Sequence, residues 1–157
     1  MREFQNKLGV PTGIGPSNHD LRIEDAGNTL IDYSETLENY LDGSPKLLRA
    51  HLMIEELGEL LVAMGKNDEE ATLDAECDLQ YVLDGTVLSN GHGKIMSEAF
   101  KRVHAANMTK TGVGYRFRDK GNEWKKPKFG DLLNRCRTSE IEDGGQQQFD
   151  FRDSPSS

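Results

Sequence analysis

The chain has 157 residues, 35% hydrophobic side chains and a formal net charge of −8, which suffices for one ordinary domain with its own core and not for two large ones. The acidic balance excludes broad binding to nucleic-acid phosphates, which takes clustered Lys and Arg, but leaves open a nucleotide held through a metal. Cys77 and Cys136 form no C-x-x-C pair, no apolar run reaches the length of a membrane span, and the start Met1-Arg2-Glu3-Phe4 lacks the apolar region of a signal peptide, so a reduced, soluble, cytoplasmic setting is expected.

Met1 to Leu8 is predicted as a short helix, and Pro11 to Asn18 is loop chemistry throughout, suited to a lid or substrate-side arm. A helix is expected between Leu21 and Leu41, ending at Asp42-Gly43, with Gly27 and Asn28 weakening its first half. Ser44 as cap and Pro45 at the first helical position predict the next helix, from Pro45 to Met64, with Leu47, Ile54, Leu57, Leu61 and Met64 as its core stripe and Gly65 as its end. Asn67 followed by Glu70 reads as a capping box for a helix running to Asn90-Gly91. The connection between these two helices is so short that they must be antiparallel neighbours. A further helix from Lys94 to Asn107 carries Ile95, Met96, Ala99, Phe100 and Val103 on one broad face. Residues 111–127 suggest a basic loop or small hairpin. From Thr138 the composition becomes polar and Gly/Gln/Ser-rich, which predicts a disordered tail over 138–157 after a single domain at 1–137.

The chemistry lies in the two antiparallel helices. Glu55, Glu56 and Glu59 are three and four residues apart and Asp74 and Asp78 are four apart, so each set is presented over about one helical turn. Acidic helix positions usually just face water. These, however, are interleaved with Leu57, Leu60, Leu79 and Val82, and gathering carboxylates near apolar surface is unfavourable unless a cation or protons neutralise them. Oxygen-only donors favour a hard ion such as Mg²⁺. A di-iron bundle would want Glu-x-x-His and an EF-hand its Gly-centred loop, and neither occurs. His51, one turn before Glu55, reads as a partly exposed helix residue beside the site.

Glu56-Leu57-Gly58-Glu59 followed by Asp74-Ala75-Glu76-Cys77-Asp78-Leu79-Gln80-Tyr81-Val82-Leu83-Asp84-Gly85-Thr86 resembles the all-α nucleoside triphosphate pyrophosphohydrolases, the MazG-like superfamily, whose signature is E-x-x-E and then E-x-x-D. The second half is closest to the phosphoribosyl-ATP pyrophosphohydrolase-like branch, D-A-x-A-D-x-x-Y-V-x-x-G-T, and Val103-His104-Ala105-Ala106-Asn107-Met108-Thr109-Lys110 is similar to its V-H-x-x-N-M-x-K. Arg2-Glu3-Phe4 and Lys125-Lys126-Pro127 look like its opening and closing segments, so the resemblance spans residues 1–130. The strict signature would place an acid at Ala75; Asp74, on the same helical face as Asp78, is the better substitute, with Glu76 pointing away. Asp84 stands where a neutral or aromatic residue is expected.

The resemblance implies an all-α antiparallel helical bundle. It implies a nucleotide pyrophosphohydrolase in which Glu56, Glu59, Asp74 and Asp78 bind Mg²⁺, or Mn²⁺, with Glu55, Glu56, Glu59 and Asp78 as the catalytic set and Glu55 orienting or deprotonating water. Hydrolysis of a nucleoside triphosphate at the α-phosphorus would give a monophosphate and pyrophosphate. Asn107, Lys110, Arg118 and Lys125 are the implied substrate-binding residues, although a helix C-cap is the plainer meaning of Asn107 and a solvated cation that of Lys110. Arg116 belongs to the same basic segment, and Tyr81 and Trp124 are either core packing or base-stacking aromatics. The implied assembly is a homo-oligomer, dimer or tetramer. Phosphoribosyl-ATP as substrate, or a catalytically weak nucleotide- or protein-binding module, are the alternatives.

Overall fold

The computed structural model describes residues 2–8, 19–111 and 120–142. Its elements are α1 (Arg2–Leu8), α2 (Leu21–Glu38), α3 (Pro45–Lys66), α4 (Glu69–Ser89), α5 (Gly93–Met108) and α6 (Gly130–Glu142), with no strand among the described residues. The helix ends follow capping chemistry. The Asp20 side chain accepts from the Arg22 amide at the start of α2, and the Ser44 hydroxyl accepts from the Leu47 amide ahead of Pro45. The start of α4 corrects the sequence reading: Asp68, not Asn67, is the cap, accepting from the Ala71 amide at 3.0 Å. Asn67 instead closes α3 in the left-handed conformation (φ 58°), with its N–H directed at Ala63 and Met64 carbonyls. Asparagine tolerates that conformation, so α3 passes through Gly65 to Lys66 rather than stopping at Met64.

Gly65 is continuous with the helix because it is a packing position. A Cβ there would lie 2.6 Å from the Glu24 backbone nitrogen, and one on Gly27 would lie 2.6 Å from the Gly58 carbonyl oxygen. Gly27 therefore does not weaken α2, which runs unbroken from Leu21 to Glu38; it lets the α2 and α3 backbones approach closely. Ser34 and His51 extend the same seam: both are buried, and the His51 imidazole Nδ1 lies 3.0 Å from the Ser34 carbonyl oxygen. That oxygen can only accept, so Nδ1 carries the proton. His51, 8% exposed, is thus a core residue rather than a partly exposed one. The predicted large apolar stripe of α3 is correspondingly displaced: Leu57 and Met64 are 38% and 44% exposed, while the buried positions are His51, Gly58, Ala63 and Gly65.

After the α2–α3 pairing, the α3–α4 pairing is the next most extensive, and Ala63, Ala75 and Val82 are buried along these helices. The other helices dock more lightly. No residue of α5 is buried, and Met96, Phe100 and Val103 of its predicted apolar face remain open. α6 had no counterpart among the elements expected from sequence. It is held to α5 by the fully buried Leu132 and by Arg102, whose guanidinium donates to both Asp131 oxygens at 2.6 Å and to the Lys128 carbonyl at 2.8 Å. That fork holds the Asp131 carboxyl down to about 2, so the pair is charged across the neutral range. α6 continues past residue 137 to Glu142, and the rest of the expected tail lies outside the described residues. So does the proposed Pro11 to Asn18 arm. No described helix is long and apolar enough to cross a membrane.

Candidate active site

Glu55, Glu56 and Glu59 stand on α3 and Asp74 and Asp78 on α4, along the seam between the two helices. Glu56 lies in the field of the other four. Its carboxyl is half-buried and its pKa is raised, first by loss of water and then by the negative charges of Glu59, Asp78, Glu55 and Asp74. Glu59, Asp74 and Asp78 are exposed and Glu55 is half-buried, so Glu56 is the inner member of an open cluster. Among the described residues, no three His, Cys, Asp or Glu side chains stand close enough together to hold a metal as they are. Mutual repulsion of like charges favours such a spread arrangement. The donors are nevertheless all carboxylate oxygens, the set a hard divalent cation prefers, and a cation would relieve the repulsion that raises Glu56.

Position 75, where the strict signature would carry an acid, is buried: Ala75 is 5% exposed. A small side chain suits the approach of α4 to α3 there, and Asp74 beside it contributes to the charge on Glu56. His51 reaches toward the cluster from the α2 side, its Nε2 3.7 Å from a Glu55 oxygen. At the other end of the seam Arg49 crosses from α3 to α4. Its Nε donates to the Ser89 hydroxyl at 3.1 Å, and Nη1 is 2.9 Å from where a Cβ on Gly85 would sit. Arg49 has no role in the sequence reading, and Gly85 enters it only as the glycine of the G-T pair. The signal was present in spacing, since each is seven residues from an acid of the cluster, Glu56 and Asp78 respectively.

The implied substrate-binding residues are more scattered. Asn107 and Lys110 are half-buried at the end of α5, where the Asn107 carbonyl accepts from the Lys110 amide at 3.1 Å. α1 meets this end of α5: the Lys7 ammonium donates to the Met108 carbonyl, and Glu3 lies 3.8 Å from His104. Lys125 is exposed in the segment before α6, and Arg116 and Arg118 lie outside the described residues. No hydrogen bond or ion pair joins Asn107, Lys110 or Lys125 to the acids among the described residues. The two aromatics differ. Tyr81, one turn after Asp78, is 81% exposed and takes no part in the core, whereas Trp124 has a buried indole N–H with no hydrogen-bond partner among the described residues and Lys120 over its ring at 4.3 Å.

Residues 30–107 match the family model described as phosphoribosyl-ATP pyrophosphohydrolase. The chain belongs to the MazG-like all-α NTP pyrophosphohydrolase superfamily. Its pyrophosphohydrolase domain makes it a hydrolase acting on acid anhydrides; the family is generally divalent-metal dependent and implies a nucleotide substrate. No curated protein and no solved structure matches the chain. The matched stretch takes in the second half of α2, all of α3 and α4 and nearly all of α5, so every acid of the cluster, Arg49, Gly85 and Asn107 fall inside it. Lys110, Lys125 and α6 fall beyond it.

Proposed function

We propose that this pyrophosphohydrolase is Mg²⁺-dependent and cleaves the α–β phosphoanhydride bond of a nucleoside triphosphate, giving a nucleoside monophosphate and pyrophosphate. The observation that carries the reading is that half-buried Glu56, on the α3 side of the α3–α4 seam, stands in the field of four other carboxylates, all inside the stretch that matches the family. Glu56, Glu59, Asp78 and Asp74 would hold the cation, Mg²⁺ or Mn²⁺, which would neutralise charge on the phosphoryl oxygens. Glu55 lies beside that set and accepts a proton from the attacking water. The water oxygen bonds to the α-phosphorus, the bridging P–O bond breaks, and its electron pair leaves with pyrophosphate. Asn107 would face sugar or base, and Lys110, Lys125 and Arg118 the phosphates.

The open apolar side chains of α3, α4 and α5 support a homo-oligomer. Leu57, Leu73, Tyr81, Leu88 and Phe100 are all exposed, more large apolar surface than a lone helical domain ordinarily leaves to water, and a second copy would cover it. The two free cysteines suit a cytoplasmic setting.

Phosphoribosyl-ATP is the second reading, favoured by the description of the matching family itself. One panel separates the two. The full chain is incubated with Mg²⁺ and, in turn, NTPs, dNTPs and phosphoribosyl-ATP, and the phosphorus products are resolved. Monophosphate plus pyrophosphate from a common or deoxynucleoside triphosphate is expected; turnover confined to phosphoribosyl-ATP would transfer the assignment to that substrate. Release of orthophosphate instead of pyrophosphate would contradict both.

A further inference from the structure

Arg49 is a partly buried arginine in an acidic protein that pairs with no carboxylate among the described residues, unlike Arg22 with Asp20 and Arg102 with Asp131. Among the described residues only its Nε is engaged, by Ser89. The guanidinium lines a cleft of about 520 Å³ between the start of α3 and the end of α4, together with Lys46, Met53 and Thr86. What makes this cleft more than a surface feature is its register with the acids. Arg49 precedes Glu56 by seven residues on α3, and Gly85 follows Asp78 by seven on antiparallel α4. The Arg49–Gly85 contact and the mutually repelling charges of Glu56 and Asp78 therefore lie on one seam, two turns or about 10 Å apart at 1.5 Å per residue. Gly85 is the seat of the guanidinium, because a Cβ there would stand 2.9 Å from Nη1 and 3.5 Å from Cζ. A mid-helix glycine is otherwise unfavourable relative to alanine.

A seam with carboxylates at one end and an unpaired guanidinium at the other suits a substrate that itself carries a row of charges. We propose that Arg49, with Lys46 beside it, binds the terminal phosphates of the substrate, the part that leaves as pyrophosphate, and that Gly85 is bare in order to seat it. The inference rests on reading the α3–α4 seam as the phosphate site. The planar fork can grip two phosphate oxygens at once, and a positive charge there stabilises the leaving group as the bridging bond breaks.

The test is calorimetric binding of inorganic pyrophosphate to the full chain, with and without Mg²⁺, beside binding of a nucleoside monophosphate. Arg49→Gln is expected to weaken pyrophosphate about ten- to a hundredfold, the range for a charge-assisted contact, and to leave the monophosphate unchanged. Gly85→Ala retains the charge and favours the helix, so it folds even where Arg49→Gln does not; by displacing the guanidinium it should weaken pyrophosphate severalfold without lowering the melting temperature. Native pyrophosphate affinity in either folded variant, or equal losses for both ligands, overturns the proposal. Tight pyrophosphate binding through Arg49 in a protein that turns over no triphosphate would sustain this site and defeat the proposed reaction. Turnover with Arg49→Gln fully active would do the reverse.

Discussion

The two long faces of α3 are built from opposite chemistry. Toward α2 it presents His51, Gly58 and Gly65, positions seven residues apart that meet Ser34, the Gly27–Ile31 turn and the start of α2 with backbone nearly on backbone. Toward α4 it presents Arg49 and Glu56, also seven apart, opposite Gly85 and Asp78. The first seam gains stability by excluding side-chain volume. The second takes water from Glu56 and gathers like charges around it; both raise its pKa and work against folding until something neutralises the site. Placing both on one helix ties the charged site to the most extensively packed helix pair, which is where a constellation that must hold its geometry belongs.

The comparison breaks most drastically at the glycine seam. Gly27→Val would drive a side chain into the Gly58 carbonyl at 2.6 Å and the Val62 backbone at 2.7 Å; neither can yield, so a loss of about 3 kcal/mol or more is expected, seen as loss of the cooperative unfolding transition in urea. A native-like midpoint would mean that the helices are not held at this distance. A smaller effect of opposite sign is expected on the acidic seam. Glu56 has a raised pKa, so its ionised form is disfavoured in the folded state, and that penalty is present above its folded pKa and relieved as pH falls through it. Glu56→Gln should therefore raise the melting temperature of the metal-free protein at pH 7 while removing activity, and the gain should shrink as pH is lowered. A variant that is less stable than the native chain would show that Glu56 serves the fold.

Much of the acidic seam was legible in the sequence because it depends on spacing within single helices: Glu55, Glu56 and Glu59 on one, Asp74 and Asp78 on the other, with Ser44-Pro45 fixing where the first begins. The errors came where a residue's meaning depends on a second helix. Gly27 and Gly65 read as breakers and are contact points; Leu57 and Met64 read as core and are half open. His51, polar and next to acids, gave no sign of being buried until Ser34 appeared opposite it. At Asn67 and Asp68 two adjacent residues could each cap a helix, and the left-handed turn at Asn67 decided between them. α6 follows a segment with no strong periodicity, and its docking rests on one buried leucine and one Arg102–Asp131 fork that only the fold brings together.

The face of α4 carrying Asp74 and Asp78 is the proposed reacting one. Those two residues lie within about 40° of each other around the helix, whereas Glu76, two residues from both, lies about 160° away from each. The direct measurement is steady-state pyrophosphate release by Asp78→Asn and Glu76→Gln, each checked for native helicity and melting. The account predicts a fall of about a hundredfold or more in kcat for Asp78→Asn, the scale of losing a charged group that acts on the transition state, and near-native turnover for Glu76→Gln. Equal losses in both variants, or full activity in Asp78→Asn, would contradict it.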